Sequence, residues 1–275
     1  MDLRQQPIEN VLQQAEQSLG TRLDRATLVR KRRTIGARTD RSSWIRVERR
    51  PRARALEQGS SGLEAAAALA GVAMPRWFRA AAWQDPDDAA IWQADETSLL
   101  PGCPVGSAIV VADPRLPDTW WRSLNASLAA LADQRTTRVA TPDTEQITQE
   151  LVDSTIRAAY PEAANTRVDR WGPAHADLNW ANVTGPEFCM FDWEDWGMAP
   201  CGLDSASLYA ASLAVPLLAD RVRRERRAEL ESRDGMVMRL FVLAKIAGPH
   251  AHPSDPRVGP ARREAEQLIP ALRPG

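Results

Sequence analysis

Apolar residues at Ile8, Val11, Leu12, Ala15 and Leu19 recur at helical spacing between Pro7 and Gly20, which predicts a helix over residues 7–19. The period then changes to two. Thr27–Arg33 and Trp44–Arg50 alternate polar and apolar positions and predict two strands, with the intervening TIGARTDRSS read as the turn of a hairpin because of its Gly, Asp and Ser residues. An alanine-rich helix over Leu63–Leu69 comes next, followed by strands over Arg76–Trp83 and Ala90–Ala94 around the turn sequence DPDD. From Pro117 onward helical periods take over, at Trp120–Ala132, Thr144–Tyr160, Leu203–Ala219 and Val222–Ala247, the last broken near Asp234-Gly235. This order predicts an α+β chain: a small β-rich lobe over residues 1–97 and a larger, mainly α-helical lobe over 98–275, meeting near LLPGCP.

Composition narrows the class. A chain of 275 residues with 44% hydrophobic content can bury a core. Its apolar runs fall short of the ~20 residues of a membrane span, and MDLR opens into polar sequence without a signal-peptide core, so no membrane association and a cytoplasmic location are expected. Cys103, Cys189 and Cys201 lack CxxC spacing and read as buried small residues; His250 and His252 lie in a loop-like GPHAHPSDP. The net charge of -1 hides a division: residues 22–54 hold 13 Arg or Lys against Asp24, Asp40 and Glu48, a balance of +10 that leaves the remainder at -11. Such a basic stretch raises nucleic-acid binding as a competing class. Alternation along strands puts only half of those cations on one face, and no reader motif accompanies them, so that class is disfavoured.

Candidate chemistry concentrates at His175-Ala-Asp177-Leu-Asn-Trp-Ala-Asn182, followed ten residues after Asn182 by Asp192 in FDWED. Phosphoryl transfer asks little covalent work of a protein: one carboxylate orients and deprotonates the attacking hydroxyl, while an amide and a second carboxylate hold Mg²⁺ on the nucleotide phosphates. Asp177, Asn182 and Asp192 supply those groups in that order. A metal-dependent hydrolase built on His175, Asp177, Asp192 and Glu194 is an alternative, but it leaves Asn182 without a task.

On these residues the chain resembles the aminoglycoside phosphotransferase family of the protein-kinase-like superfamily, whose catalytic loop is usually HGDxxxxN. The resemblance is strongest over WGPAHADLNWANVTGPEFCMFDWEDWGMAPCGLD, residues 171–204. It implies a two-lobed protein-kinase-like fold, with the nucleotide on the first lobe and the catalytic loop, metal site and acceptor pocket on the second. It implies Asp177 as base, Asn182 and Asp192 as Mg²⁺ ligands and His175 as a brace within the loop. ATP or GTP would be the co-substrate, and the acceptor a hydroxylated small molecule such as an aminoglycoside, a nucleoside antibiotic or another natural product. Glu194 and Asp195 are candidates for outer metal contacts or for a cationic substrate. Trp171, Trp180, Trp193 and Trp196 offer either a flat pocket lining or core. Asp204 is expected to cap its helix.

Three departures mark the nucleotide side. Ala176 replaces the family's glycine. Arg46 stands where a strand lysine is usual, with Glu64 as its expected partner and Glu57 the second choice. No glycine-rich loop is present, so the Thr34–Ser43 stretch would cover phosphates through hydroxyls, backbone N–H groups and the guanidinium groups of Arg38 and Arg41. The purine edge would meet backbone between Gln93 and Asp95. Arg46 and the missing glycines together motivate a pseudokinase that binds nucleotide or a partner without transfer.

Overall fold

The computed structural model describes residues 2–52, 61–85, 90–163 and 165–272. Its chain forms two compact units, one of Met1–Ala68 with Met74–Leu100 and the other of Leu69–Ala73 with Pro101–Gly275. The second unit thus takes a five-residue piece from inside the first unit's stretch of sequence. Among the described residues no helix is long and apolar enough to cross a membrane.

In the first unit, α1 (Glu9–Leu19) ends as predicted at Gly20, which adopts the left-handed conformation and returns its N–H to the helix. Five antiparallel strands, β1 (Val29–Arg30), β2 (Thr34–Arg38), β3 (Ser43–Pro51), β4 (Trp77–Gln84) and β5 (Ala90–Ser98), pair in the order β1-β2-β3-β5-β4. Ile35, Ala37, Ile45, Val47, Trp92 and Ala94 form one face of the sheet and share a core with Ile8, Leu12, Ala15 and Leu19. The other face is polar, because alternation sends Arg46, Glu48, Gln93 and Asp95 the opposite way.

The expected hairpin turn is largely a strand. TIGAR is β2, its Ile35 and Ala37 buried in the core, and the turn contracts to Thr39–Ser42. Gly36, read as a turn residue, is instead a steric requirement, since a Cβ there would lie 2.4 Å from the Trp44 ring. A short α2 (Gly62–Ala66) starts at Ser61, whose hydroxyl accepts from the Glu64 N–H. Most of the DPDD turn lies outside the described residues.

The second unit contains α3 (Asp118–Ala132), α4 (Gln149–Ala159), α5 (Leu203–Ala211), α6 (Pro216–Glu225), α7 (Arg227–Leu230), α8 (Arg233–Ala247) and α9 (Val258–Ala271). The helix expected over Leu203–Ala219 breaks ahead of Pro216, whose ring removes an N–H and opposes continuation. The second long helix divides at Arg226 and again at Glu231-Ser232, where Ser232 caps α8 through the Gly235 N–H, so Asp234-Gly235 lies inside the first turn of α8. Short strands β6 (Cys103–Pro104), β7 (Trp171–Ala174), β8 (Thr184–Gly185) and β9 (Gly197–Pro200) pair as β6 with β8 and β7 with β9. The antiparallel β7–β9 register, Trp171 opposite Pro200 through Ala174 opposite Gly197, sets the loop leaving β7 beside the turn entering β9.

Candidate active site

Two buried carboxylates hold β7 from either side. Asp234 on α8 accepts the backbone N–H groups of Asp169 at 2.8 Å and Arg170 at 3.1 Å, and Asp204 on α5 accepts those of His175 at 2.7 Å and Ala176 at 2.8 Å. The expectation for Asp204 is therefore corrected: Gly202 occupies the cap position without a side-chain bond, and the carboxylate serves the loop after β7. A helix cap needs an acceptor near its own first turn, whereas this one is drawn to two N–H groups that burial would otherwise orphan. Burial raises the Asp204 carboxyl, against the pull of His175 and the two N–H donors.

Past this anchor the chain turns sharply. Ala176 takes φ = 67°, a left-handed conformation in which glycine is the unstrained choice. Asp177 follows, its two carboxylate oxygens each receiving an amide: Asn179 Nδ2 donates to Oδ1 at 2.9 Å and Asn182 Nδ2 to Oδ2 at 2.8 Å. Burial first of all raises the Asp177 carboxyl above the ordinary carboxylate range; His175 and the Asn182 amide oppose the shift, while Asp192 and Asp195 reinforce it.

A β-hairpin carries the chain from Asn182 to Asp192. Thr184 N–H donates to the Cys189 carbonyl at 3.0 Å, Val183 bridges Met190, and Phe191 N–H donates to the Asn182 carbonyl at 3.0 Å. Asp192 then leaves the hairpin at φ = 70°. His175 is fully buried and edge-on to Trp193, and its Nε2 meets the Phe191 carbonyl at 3.1 Å, so the imidazole ties the loop to the Asp192 segment. That ring nitrogen is not offered to a metal. Asn182 directs its NH₂ at Asp177, so its amide oxygen, on the far side of the same carbon, points away. This oxygen and the Asp192 carboxylate are hard donors of the kind Mg²⁺ takes, and the residues present fit that ion. Among the described residues no group of three His, Cys, Asp or Glu side chains that could hold a metal ion is present.

Asp195 accepts the Thr141 hydroxyl at 2.7 Å, and the Glu194 carbonyl accepts from Arg138 at 2.7 Å. Trp180, Trp193 and Trp196 are core, which removes them as pocket lining. Trp180 stacks on Trp120 at 5.8 Å and donates to Ser212, while Trp171 is half-buried.

In the first unit, Arg46 lies directly across the β3–β5 ladder from Asp95, and Glu48 across from Gln93. Arg46 pairs with Glu48 at 3.3 Å, and Glu64, its expected partner, lies in the first turn of α2. Glu57 lies outside the described residues. Asp95 is buried and accepts from Ser61 at 3.2 Å and the Trp77 indole at 3.0 Å. The backbone role expected of Gln93–Asp95 is corrected: this stretch is paired to β3 on one side and β4 on the other, and such a central strand has no spare N–H or carbonyl for a purine. Arg38 sits at the end of β2 with its N–H on the Thr27 hydroxyl, and Arg41 in the following turn donates to the Gly20 carbonyl at 2.5 Å.

Asn179, Arg138 and Thr141 were missed. Asn179 had a signal, a second amide within the HADLNWAN loop. Arg138 and Thr141 had none.

A five-stranded antiparallel sheet ahead of a helical unit, with a His-x-Asp loop hairpinned to a second aspartate, is a protein-kinase-like fold. Solved structures share it. An amicoumacin kinase, hAmiN, determined with AMP-PNP, Ca²⁺ and Ami, superposes with a TM-score of 0.57 at 14% identity, over 96% of this chain and 93% of its own. The aminoglycoside phosphotransferase APH(4)-Ia gives 0.56 at 11% identity, over 90% and 93%, and a choline/ethanolamine kinase family protein from Mesorhizobium loti gives 0.52 at 14%, over 93% and 92%. No protein-family model and no curated protein matches by sequence.

Proposed function

We propose that the chain is a small-molecule O-phosphotransferase that moves the γ-phosphoryl group of ATP or GTP to a hydroxyl of an antibiotic or related natural product. The observation that carries this reading is the amide–carboxylate pair: Asn182 fixes Asp177 from one side, leaves its oxygen for a cation, and is joined by hairpin to Asp192. Asp177 accepts the acceptor's hydroxyl proton as the oxygen–phosphorus bond forms, and the bond from the γ-phosphorus to the β,γ-bridging oxygen breaks to release the nucleoside diphosphate. A raised carboxyl pKa makes Asp177 a better proton acceptor than an ordinary surface aspartate. Mg²⁺, when bound, neutralises charge developing on the phosphates, with Asn182 and Asp192 as its protein ligands. Arg46, on the polar face of the sheet, takes the phosphate-facing role usual for lysine, supported by Glu48. That solved structures of the same fold include an amicoumacin kinase and an aminoglycoside phosphotransferase favours a natural-product acceptor.

The Arg46–Glu48 pair also favours a second reading, a nucleotide-binding pseudokinase, since that guanidinium is already engaged within its own strand. One experiment separates them. Reactions containing Mg²⁺, ATP or GTP and a panel of aminoglycosides, nucleoside antibiotics and other hydroxylated metabolites are read by mass spectrometry for a gain of one phosphoryl group. Asp177→Asn is expected to lower turnover by ~10²–10⁴ while nucleotide binding persists. Unchanged turnover in that variant removes Asp177 from the mechanism, and binding without transfer across the panel supports the pseudokinase.

A further inference from the structure

Arg138 and Thr141 belong to the segment between α3 and α4, far in sequence from the HADLNWAN and FDWED motifs, yet they grip the turn that follows Asp192. Arg138 Nη2 donates to the Glu194 carbonyl at 2.7 Å and Nε to the Trp196 carbonyl at 2.8 Å. Thr141 N–H donates to the Asp195 carbonyl at 3.0 Å and its hydroxyl to Asp195 Oδ1 at 2.7 Å. Ala140 N–H takes the Met198 carbonyl at 3.1 Å, and Met198 N–H returns to the Arg138 carbonyl at 2.7 Å. Three carbonyls of one short turn and one of β9 are thus held by one four-residue strap. The approach is close enough that a Cβ on Gly197 would lie 2.6 Å from Ala140 N, Arg138 O and Val139 C.

The turn needs holding. Asp192, Glu194 and Asp195 put three carboxylates into four residues, a concentration of like charge that opposes its own folding. A guanidinium bonded to the backbone of the same turn brings a compensating charge to it and fixes the peptide planes with two charge-assisted bonds set by its planar fork. Asp192, two residues before the first gripped carbonyl, leaves its hairpin with φ = 70°, so its direction depends on a backbone that the strap immobilises on one side and Phe191 on the other.

We propose that Arg138, seconded by Thr141, is a positioning residue for the Asp192 carboxylate, acting through the Trp193–Gly197 turn to preset the divalent-metal site. The inference rests on the phosphotransferase reading above. Partners hydrogen-bonded directly to a metal ligand govern its affinity by ~10–100-fold, and Arg138, acting through the backbone two residues on, is expected at the lower end of that range. Lysine at position 138 keeps the charge but loses the fork, so it separates alignment from simple electrostatics.

Uptake of Mn²⁺ in the presence of AMP-PNP, followed by the paramagnetic resonance of the free ion, tests this on the full chain. Arg138→Lys is expected to weaken Mn²⁺ binding about tenfold. AMP-PNP affinity in EDTA should stay within about twofold, because no nucleotide contact has been altered, and that split is one a general loss of structure would not give. Equal Mn²⁺ affinity in wild type and a folded Arg138→Lys overturns the strap and leaves the phosphotransferase reading standing. If Arg138→Lys does not fold, Thr141→Val decides: a clear weakening of Mn²⁺ binding supports the proposal and an unchanged affinity overturns it. A wild-type protein that takes up no Mn²⁺ with AMP-PNP overturns both readings together.

Discussion

Ala176 is a residue in a glycine's conformation. A side chain in the left-handed region costs about 1–2 kcal/mol, and glycine returns about 0.5–1 kcal/mol of that through the greater freedom of its unfolded chain. Ala176→Gly is therefore expected to leave the protein between equal and about 1.5 kcal/mol more stable in urea titrations; a clear loss of stability would mean that the buried methyl contributes more by packing than its backbone costs in strain. Asp177 makes a second residue-scale prediction. Its carboxyl is raised above the unfolded value of about 3.9, so the native state binds the extra proton, and the associated stability is present below about pH 4 and declines as pH rises through the elevated value. In EDTA, Asp177→Asn should flatten that decline, and parallel pH profiles for the two proteins would contradict it. Both residues stand in a stretch that the sequence singled out by the spacing of Asp177, Asn182 and Asp192, and the structure places these three along one loop and one hairpin. Arg138 was not legible for an equally physical reason. It bonds to backbone carbonyls 56 and 58 residues away, and every residue presents a carbonyl, so no side-chain pattern records the contact.

The element-scale lesson lies in β2 and β7. TIGAR was misread because Gly36 and the following Thr-Asp-Arg-Ser-Ser outweighed the alternation of Ile35 and Ala37, while the real demand on Gly36 comes from Trp44 on the neighbouring strand. Gln93–Asp95 was misplaced for a related cause: a short apolar-polar run does not announce whether it is central or terminal, and pairing on both sides consumed the backbone that was to meet a purine. The first backbone of this strand beyond both ladders comes after Ser98. β7 shows the opposite case, a four-residue strand with little intrinsic stability made rigid by Asp234 before it and Asp204 after it. Removing an acceptor from two buried N–H groups costs about 1–3 kcal/mol for each. Asp204→Ala is accordingly expected to lose on the order of 3 kcal/mol in chemical denaturation, and Asp204→Asn, which keeps one acceptor oxygen, about half as much. An unshifted midpoint in Asp204→Ala would remove this carboxylate from its place as the loop's support.

At the scale of the whole molecule, the switch from strand periods to helix periods divides the sequence into two continuous lobes at residue 98, whereas the compact units are Met1–Ala68 with Met74–Leu100 and Leu69–Ala73 with Pro101–Gly275. What the pattern did not carry is the loan of Leu69–Ala73. These residues fall between a helix and a strand of the first unit, and their membership in the second is expressed in backbone bonds. Ala73 N–H donates to the Ser127 hydroxyl at 3.0 Å, the Ala73 carbonyl accepts from Met190 N–H at 2.8 Å, and the Ala70 carbonyl accepts from Gln134 at 3.2 Å. Met190 is two residues from Asp192, so the borrowed piece fastens the hairpin that carries the candidate metal ligands. Recombination between related genes at residue 98 would pass on the helical half without its fastener, leaving the Met190 N–H to whatever the new first half supplies. The heritable module is discontinuous, and a chimera that exchanges helical halves has to carry residues 69–73 across with them.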